Sequence, residues 1–312
     1  MNKRTKGILL AVTGASFWGT SGVAVQYLFG GTTVSEVWLV GLRLLGAGTL
    51  LLILAKLTGR SSTKALFSNR HDVLQLVLFA FFGMGMSQLT YFAAVKYSNA
   101  PTATVIQYLA PVIIIGYTAL SQKMLPRRID VVSIIVALVG TFLLVTNGNL
   151  NHLALSPQAC FWALLAALAN AISTMAPGRL FARYGTLNVT AWSMLICGIC
   201  FMMLICGICF IPLYFIMPMP ALRPLDVALI GWIVIGGTLL AYTLYLASVQ
   251  YIDPSTTGML GAFEPLVATI LAVALLHTQF GPVNILASCL IILATFLQMM
   301  PLQIFSHRRS LN

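Results

Sequence analysis

Apolar runs long enough to cross a bilayer recur from one end of the chain to the other. At about 1.5 Å per helical residue, about 20 residues span the roughly 30 Å of hydrocarbon. Such runs lie at 8–28, 36–56, 73–96, 101–120, 130–147, 158–180, 189–217, 225–251, 256–276 and 282–301. Lipid offers no partner to a free backbone N–H or C=O, so each run is expected as a helix. The expectation is an all-α integral membrane protein with ten transmembrane helices. Composition agrees: 59% of residues are hydrophobic and 7% are charged, where a soluble domain carries about 25% charge. The first run follows Lys3, Arg4 and Lys6. It is too long for a signal-peptide core and no A-x-A site follows it, so it reads as the first span.

The net charge of +11 raises the question of nucleic acid, and the positions answer it. With the N-terminus inside, Lys3, Arg4, Lys6, Lys56, Arg60, Lys64, Arg70, Lys123, Arg127, Arg128, Arg179, Arg183, Arg308 and Arg309 fall on the cytoplasmic side. Only Lys96 and Arg223 fall outside, and Arg43 lies within a span. That asymmetry sets membrane orientation. It predicts two cytoplasmic termini in an inner, cytoplasmic membrane and gives no reason to expect a nucleic-acid partner.

Residues 195–210 read LICGICFMMLICGICF, a seven-letter unit repeated after nine residues, each copy with a C-x-x-C pair. Four thiolates bind zinc only if they converge tetrahedrally. Nine residues advance a helix by about 900°, a half-turn offset. Cys197 and Cys206 therefore face opposite sides, as do Cys200 and Cys209, so neither a metal site nor any other cofactor is expected. The run at 189–217 is long for one crossing, and a tandem duplication of apolar and small residues accounts for it. The surplus is expected to be absorbed by tilt or protrusion.

A larger repeat matters more. Shifted by 154, YFAAVKYSNAPTATVIQYLAP (91–111) lies over YLASVQYIDPSTTGMLGAFEP (245–265), matching Tyr91 to Tyr245, Tyr97 to Tyr251, Thr102 to Thr256 and Pro111 to Pro265. A shift of 152 brings Ser21, Leu28 and Phe29 over Ser173, Leu180 and Phe181. The reading is two five-helix repeats, at 1–147 and 158–301, with a tail at 302–312. Five is odd, so the second repeat enters the membrane from the opposite side. Inverted repeats of this kind place a substrate path near the midplane between halves.

The ordered motifs Y-F-A-A-V-K-Y-S-N-A-P-T-A…L-A-P at 91–111, E-P at 264–265, F-W-G at 17–19 and an arginine in the second span resemble the EamA family of the drug/metabolite transporter superfamily. The resemblance covers essentially the whole chain. It implies a ten-helix inner-membrane carrier, usually an exporter of amino acids, other metabolites or drugs. One departure concerns the family's frequent G-E after the fourth and ninth helices. Gln122 and His277 stand near those points, so no role of those glutamates transfers.

The residues themselves suggest where a path would run. Proline removes a helical hydrogen bond, and Pro111 and Pro265 would kink matched helices, as site markers or as packing features alone. Met84, Gln88 and Tyr91 share a helical face, as do Thr238, Tyr242 and Tyr245 in the partner repeat. Thr104, Gln107, Tyr108 and Pro111 form a third stripe. Asn170, Ser173 and Thr174 form a fourth, over Trp18, Ser21 and Gly22. A polar group in hydrocarbon needs a partner, so these stripes face protein or water. The candidate pathway is Trp18, Gln88, Tyr91, Gln107, Tyr108, Asn170, Thr174, Tyr242 and Tyr245, with interhelical hydrogen bonding as the alternative use. Arg43 and Glu264 lie about 12 Å into the span from opposite sides, and an intramembrane ionisable group suggests function. A structural ion pair is the other reading. Ala159, Ala163, Ala167 and Ala171 form a small-residue ridge suited to close helix packing.

The leading expectation is a secondary carrier exporting a small metabolite by alternating access, with a proton as the candidate coupling ion. No P-loop or loop-borne domain is available to hold ATP. A channel or scramblase is the alternative. A membrane enzyme is weaker still, because acids are few and His71, His152, His277 and His307 sit near membrane edges or termini.

Overall fold

The computed structural model describes residues 2–59, 63–123, 128–149, 154–205 and 221–299. Among these, every regular element is helical. The helices are α1 (Lys3–Gly31), α2 (Glu36–Leu57), α3 (Arg70–Tyr97), α4 (Ala100–Gln107 and Ala110–Gln122), α5 (Arg128–Thr146), α6 (Pro157–Met175), α7 (Thr186–Ile205), α8 (Pro224–Ser248), α9 (Pro254–Leu260 and Phe263–Leu276) and α10 (Pro282–Met299). Among the described residues, α1 to α9 are long and apolar enough to cross a membrane, and the apolar stretch of α10, Pro282–Leu297, is shorter. Starts follow local chemistry. Ser35 and Ser156 accept from the N–H groups of Trp38 and Ala159 at 3.2 and 3.1 Å, which satisfies donors that have no partner inside the helix.

Several spans differ from expectation. The run at 158–180 stops at Met175, because Pro177 has no N–H to continue the ladder. A short helix, Gly178–Tyr184, follows and ends at Gly185 with φ 79°. The run at 189–217 is described to Ile205, so Cys206, Cys209 and the surplus length lie outside the described residues. Cys197, in the first copy, is fully buried. A Cβ on Gly85 would lie 2.3 Å from its sulfur, so it packs against α3. The Gly between the paired cysteines has a packing role too. A Cβ on Gly198 would lie 2.4 Å from the Leu45 amide, and one on Gly48 would lie 2.6 Å from the Leu195 amide. These two glycines let the backbones of α2 and α7 touch.

The two halves pack by exchange. α2 lies on α7, α5 on α10, and α4 on α9. α3 packs on α6 as α8 packs on α1, and α1 packs on α9 as α6 packs on α4. The alanine ridge of α6 is wholly buried. α3 and α8 also share a feature that periodicity did not announce. Each widens to i→i+5 turns, at Phe79–Gly85 and Ile235–Leu240. Such wide turns are rare and concentrate at functional sites.

Candidate functional site

The fold brings two broken helices together. α4 stops at Gln107 and restarts at Ala110, and α9 stops at Leu260 and restarts at Phe263. Each restart lies next to a proline, Pro111 or Pro265. Proline has no N–H, so the carbonyl four residues earlier loses its helical donor. For Pro265 that carbonyl belongs to Gly261. It accepts instead from the Tyr108 hydroxyl of α4 at 2.5 Å and from the Glu264 amide at 2.9 Å. The break in one half is therefore filled by a side chain from the break in the other.

α1 approaches this point through residues 17–19. Phe17 stacks edge-on against Trp232, with ring centroids 5.2 Å apart. Trp18 lies 5.1 Å from Tyr242 and 4.8 Å from Tyr245. Gly19 has no side chain because a Cβ there would lie 2.6 Å from the Glu264 carbonyl oxygen. Gly22 likewise leaves room for the Tyr91 hydroxyl. Tyr91 and Thr104 share a 2.9 Å hydrogen bond, and Tyr245 donates to the Thr257 carbonyl at 2.9 Å. Repeat-matched tyrosines thus tie α3 to the first segment of α4 and α8 to the first segment of α9.

A cavity of about 530 Å³ lies at these breaks. Trp18, Gln88, Tyr91, Gln107, Tyr108, Asn170, Thr174, Tyr242 and Tyr245 all line it, together with Arg43, Glu264 and Pro111. Pro265 is buried and is not part of the lining. Gln88 brings a buried side-chain oxygen that has no hydrogen-bond partner among the described residues. The Thr174 hydroxyl donates to the Asn170 carbonyl of its own helix at 2.8 Å. Thr238 does not reach the cavity; it binds Arg43.

The two intramembrane charges do not pair. Arg43 donates from Nε to the Thr238 hydroxyl at 2.7 Å and from Nη2 to the Gly237 carbonyl at 3.1 Å. Its guanidinium lies 5.2 Å over the Phe92 ring. The wide turn of α8 makes this possible. Thr238 passes its own proton five residues back, to the Ile233 carbonyl at 2.9 Å, and so turns its lone pair to Arg43. Glu264, in the first turn of the second α9 segment, faces the same cavity.

The cavity is lopsided. Phe79, Ile114, Phe181, Thr186, Thr190, Leu246, Gly258 and Thr295 extend its wall toward the end that carries the chain's N-terminus. At the other end, Gln26 of α1 accepts from the Ala100 amide of α4 at 2.8 Å and donates to Thr278, just beyond α9, at 2.8 Å. Sequence reasoning missed the edge-on Phe79–Phe181 pair, with ring centroids 5.8 Å apart, Gln26 and both wide turns. Clustered glycines at 83, 85, 236 and 237 were the available signal for the turns. Among the described residues no three His, Cys, Asp or Glu side chains gather where they could hold a metal ion.

Apolar membrane-length helices around a cavity that carries polar and charged side chains on its wall, with two of them broken there, are the architecture of a membrane transporter. The chain belongs to the EamA-like transporter family, whose profile matches it twice, at residues 5–146 and 157–300. It is 34% identical over 304 residues to the uncharacterized inner membrane transporter YicL of Salmonella typhimurium, covering 95% of this chain and 96% of that one. A protein of known crystal structure, 19% identical, shares the fold with a TM-score of 0.62 over 94% of this chain and 96% of its own. The protein is therefore a multi-pass inner-membrane transporter.

Proposed function

We propose that the chain is a secondary carrier of ten transmembrane helices in two inverted five-helix repeats, with both termini cytoplasmic. It exports a small metabolite, such as an amino acid or a drug-like compound, by alternating access. The observation that carries this reading is the cavity at the matched breaks of α4 and α9, with Arg43 and Glu264 both on its wall. Exchange-symmetric packing supports two interconvertible arrangements. One unpaired acid and one base suit a solute with both an anionic and a cationic group. Trp18, Tyr242 and Tyr245 supply apolar and hydrogen-bonding wall. The cavity reaches toward the N-terminal end while Gln26 closes the other, which corresponds to an inward-facing state in this orientation.

Glu264 is the proposed proton carrier. Burial and a nearby arginine act on a carboxyl in opposite senses, so motion of Arg43 during the cycle would alternate its proton affinity. The test is counterflow in proteoliposomes, screened with metabolites that stabilise the purified protein. A carrier shows saturable exchange of labelled solute against unlabelled solute. Unsaturable flux would establish the channel reading instead. Orientation is tested with single cysteines at Ser68 and Asn149 in a Cys-free background. The first is expected to label from inside only and the second from outside only.

A further inference from the structure

A second groove, of about 750 Å³, lies away from the central cavity, where the end of α2 meets the start of α7. Its floor is apolar: Leu52, Ile53 and Leu195, with Ile53 49% exposed. Its rim carries Lys56 and Lys64. The short helix Thr63–Phe67 folds back to form one wall. It is held there by a 3.1 Å hydrogen bond from Trp192 Nε1 to the Thr63 hydroxyl and by edge-on packing of Phe67 on Trp192 at 4.8 Å.

Three features coincide in this groove. Lys56 and Lys64 are both exposed, and no acid lines the groove. Trp192 sits at the first turns of a membrane helix, the level at which tryptophan concentrates at membrane–water interfaces. The groove continues along α2 into the span through Ile53 and Leu52 to Thr49, whose hydroxyl is satisfied by the Leu45 carbonyl of its own helix at 2.8 Å. Two cations above an apolar trough match a ligand with an anionic head and a hydrocarbon tail. Basic pockets between membrane helices on the cytoplasmic side recognise anionic lipid head groups in this way. We propose that this groove binds one anionic phospholipid of the inner leaflet, with its phosphate on Lys56 and Lys64 and an acyl chain along Ile53 and Leu195. The assignment to the inner leaflet rests on the orientation proposed above; the chemistry of the groove does not.

The experiment is lipid binding to the intact, detergent-purified carrier, read by native mass spectrometry and by thermal stabilisation. The probes are phosphatidylglycerol, phosphatidylcholine and soluble glycerol phosphate. Phosphatidylglycerol is expected to bind and stabilise, and phosphatidylcholine and glycerol phosphate to do so far less. Lys56→Gln with Lys64→Gln is expected to weaken phosphatidylglycerol binding about thirtyfold, from about one decade or less per lysine at a membrane surface. Lys56→Arg with Lys64→Arg is expected to retain it, as is the charge control Lys3→Gln with Arg4→Gln. Equal binding of both lipids, undiminished binding by the double Gln variant, or equal stabilisation by glycerol phosphate would each overturn the proposal. Should the Gln variant fold poorly, Ile53→Asp in the acyl trough gives a second test. It is expected to lose the lipid and keep its response to glycerol phosphate no stronger than wild type, and retained lipid would again overturn the proposal.

Discussion

α4 and α9 are nearly the same object built twice. Asn99 and Asp253 precede them, Pro101 and Pro254 open them, each breaks beside a proline, and each ends on a left-handed residue, Lys123 at φ 52° and His277 at φ 50°. They differ where the second segment begins. α9 places Glu264 in that first turn, and the matched position of α4 is Ala110. They differ again in what fills the break: the Gly261 carbonyl of α9 takes the hydroxyl of Tyr108 from α4, and among the described residues no reciprocal bond returns. The repeat therefore supplies shape, and departures from the repeat supply chemistry. A symmetric pair of broken helices makes a cavity, and the departure from symmetry puts an acid, Glu264, on one side of its wall, which is the group the proposed coupling uses.

The largest expected effect tests that asymmetry. Glu264→Gln keeps shape and removes titration. Transport driven by a pH gradient is expected to fall to the rate of empty vesicles, while exchange at equal pH persists. Wild-type gradient dependence in that variant would make Glu264 a structural residue, and so would loss of folded protein.

Next come the matched faces of α3 and α8. Gln88→Trp and Tyr242→Trp are each expected to block counterflow with membrane expression unchanged, because both side chains line the cavity. If only one blocks, the path follows a single repeat rather than both.

Smaller effects come from the tyrosines that tie the broken helices. Tyr108→Phe removes the donor that joins the two repeats and leaves the Gly261 carbonyl with the Glu264 amide at 2.9 Å; it is expected to cost about 1–1.5 kcal/mol, measured by thermal unfolding in detergent. Tyr245→Phe is expected to cost about 1 kcal/mol or less. Its acceptor, the Thr257 carbonyl, keeps the Gly261 amide at 3.1 Å. Equal losses would show that the two breaks are energetically alike.

The smallest effect is expected at the helix ends. Lys123→Gly and His277→Gly relieve a left-handed backbone that disfavours a side chain by about 1–2 kcal/mol, against about 0.5–1 kcal/mol of added chain entropy for Gly, and are each expected to stabilise by about 0.5 kcal/mol. A gain at 123 alone would mean that His277 makes compensating contacts beside the Gln26–Thr278 hydrogen bond.

Several things were fixed by the linear sequence. Hydrophobic runs of membrane length dictate helices, since a backbone in lipid satisfies its polar groups within one segment or not at all. The 154-residue echo placed paired prolines and tyrosines in matched helices, and scarcity alone singled out Arg43 and Glu264 as the charges inside spans. Gly198, between Cys197 and Cys200, has a packing reason against Leu45. Other features needed the folded chain. Helical periodicity assumes one pitch, so it carried no sign of the wide turns that aim Thr238 at Arg43. Hydropathy averages over a window, so it did not mark Gln26, a single polar residue bridging α1, α4 and the end of α9. Whether two intramembrane charges pair depends on which helices are neighbours. Here the packing of α2 against α8 gave Arg43 a hydroxyl and a carbonyl from the other repeat, and left Glu264 facing the cavity.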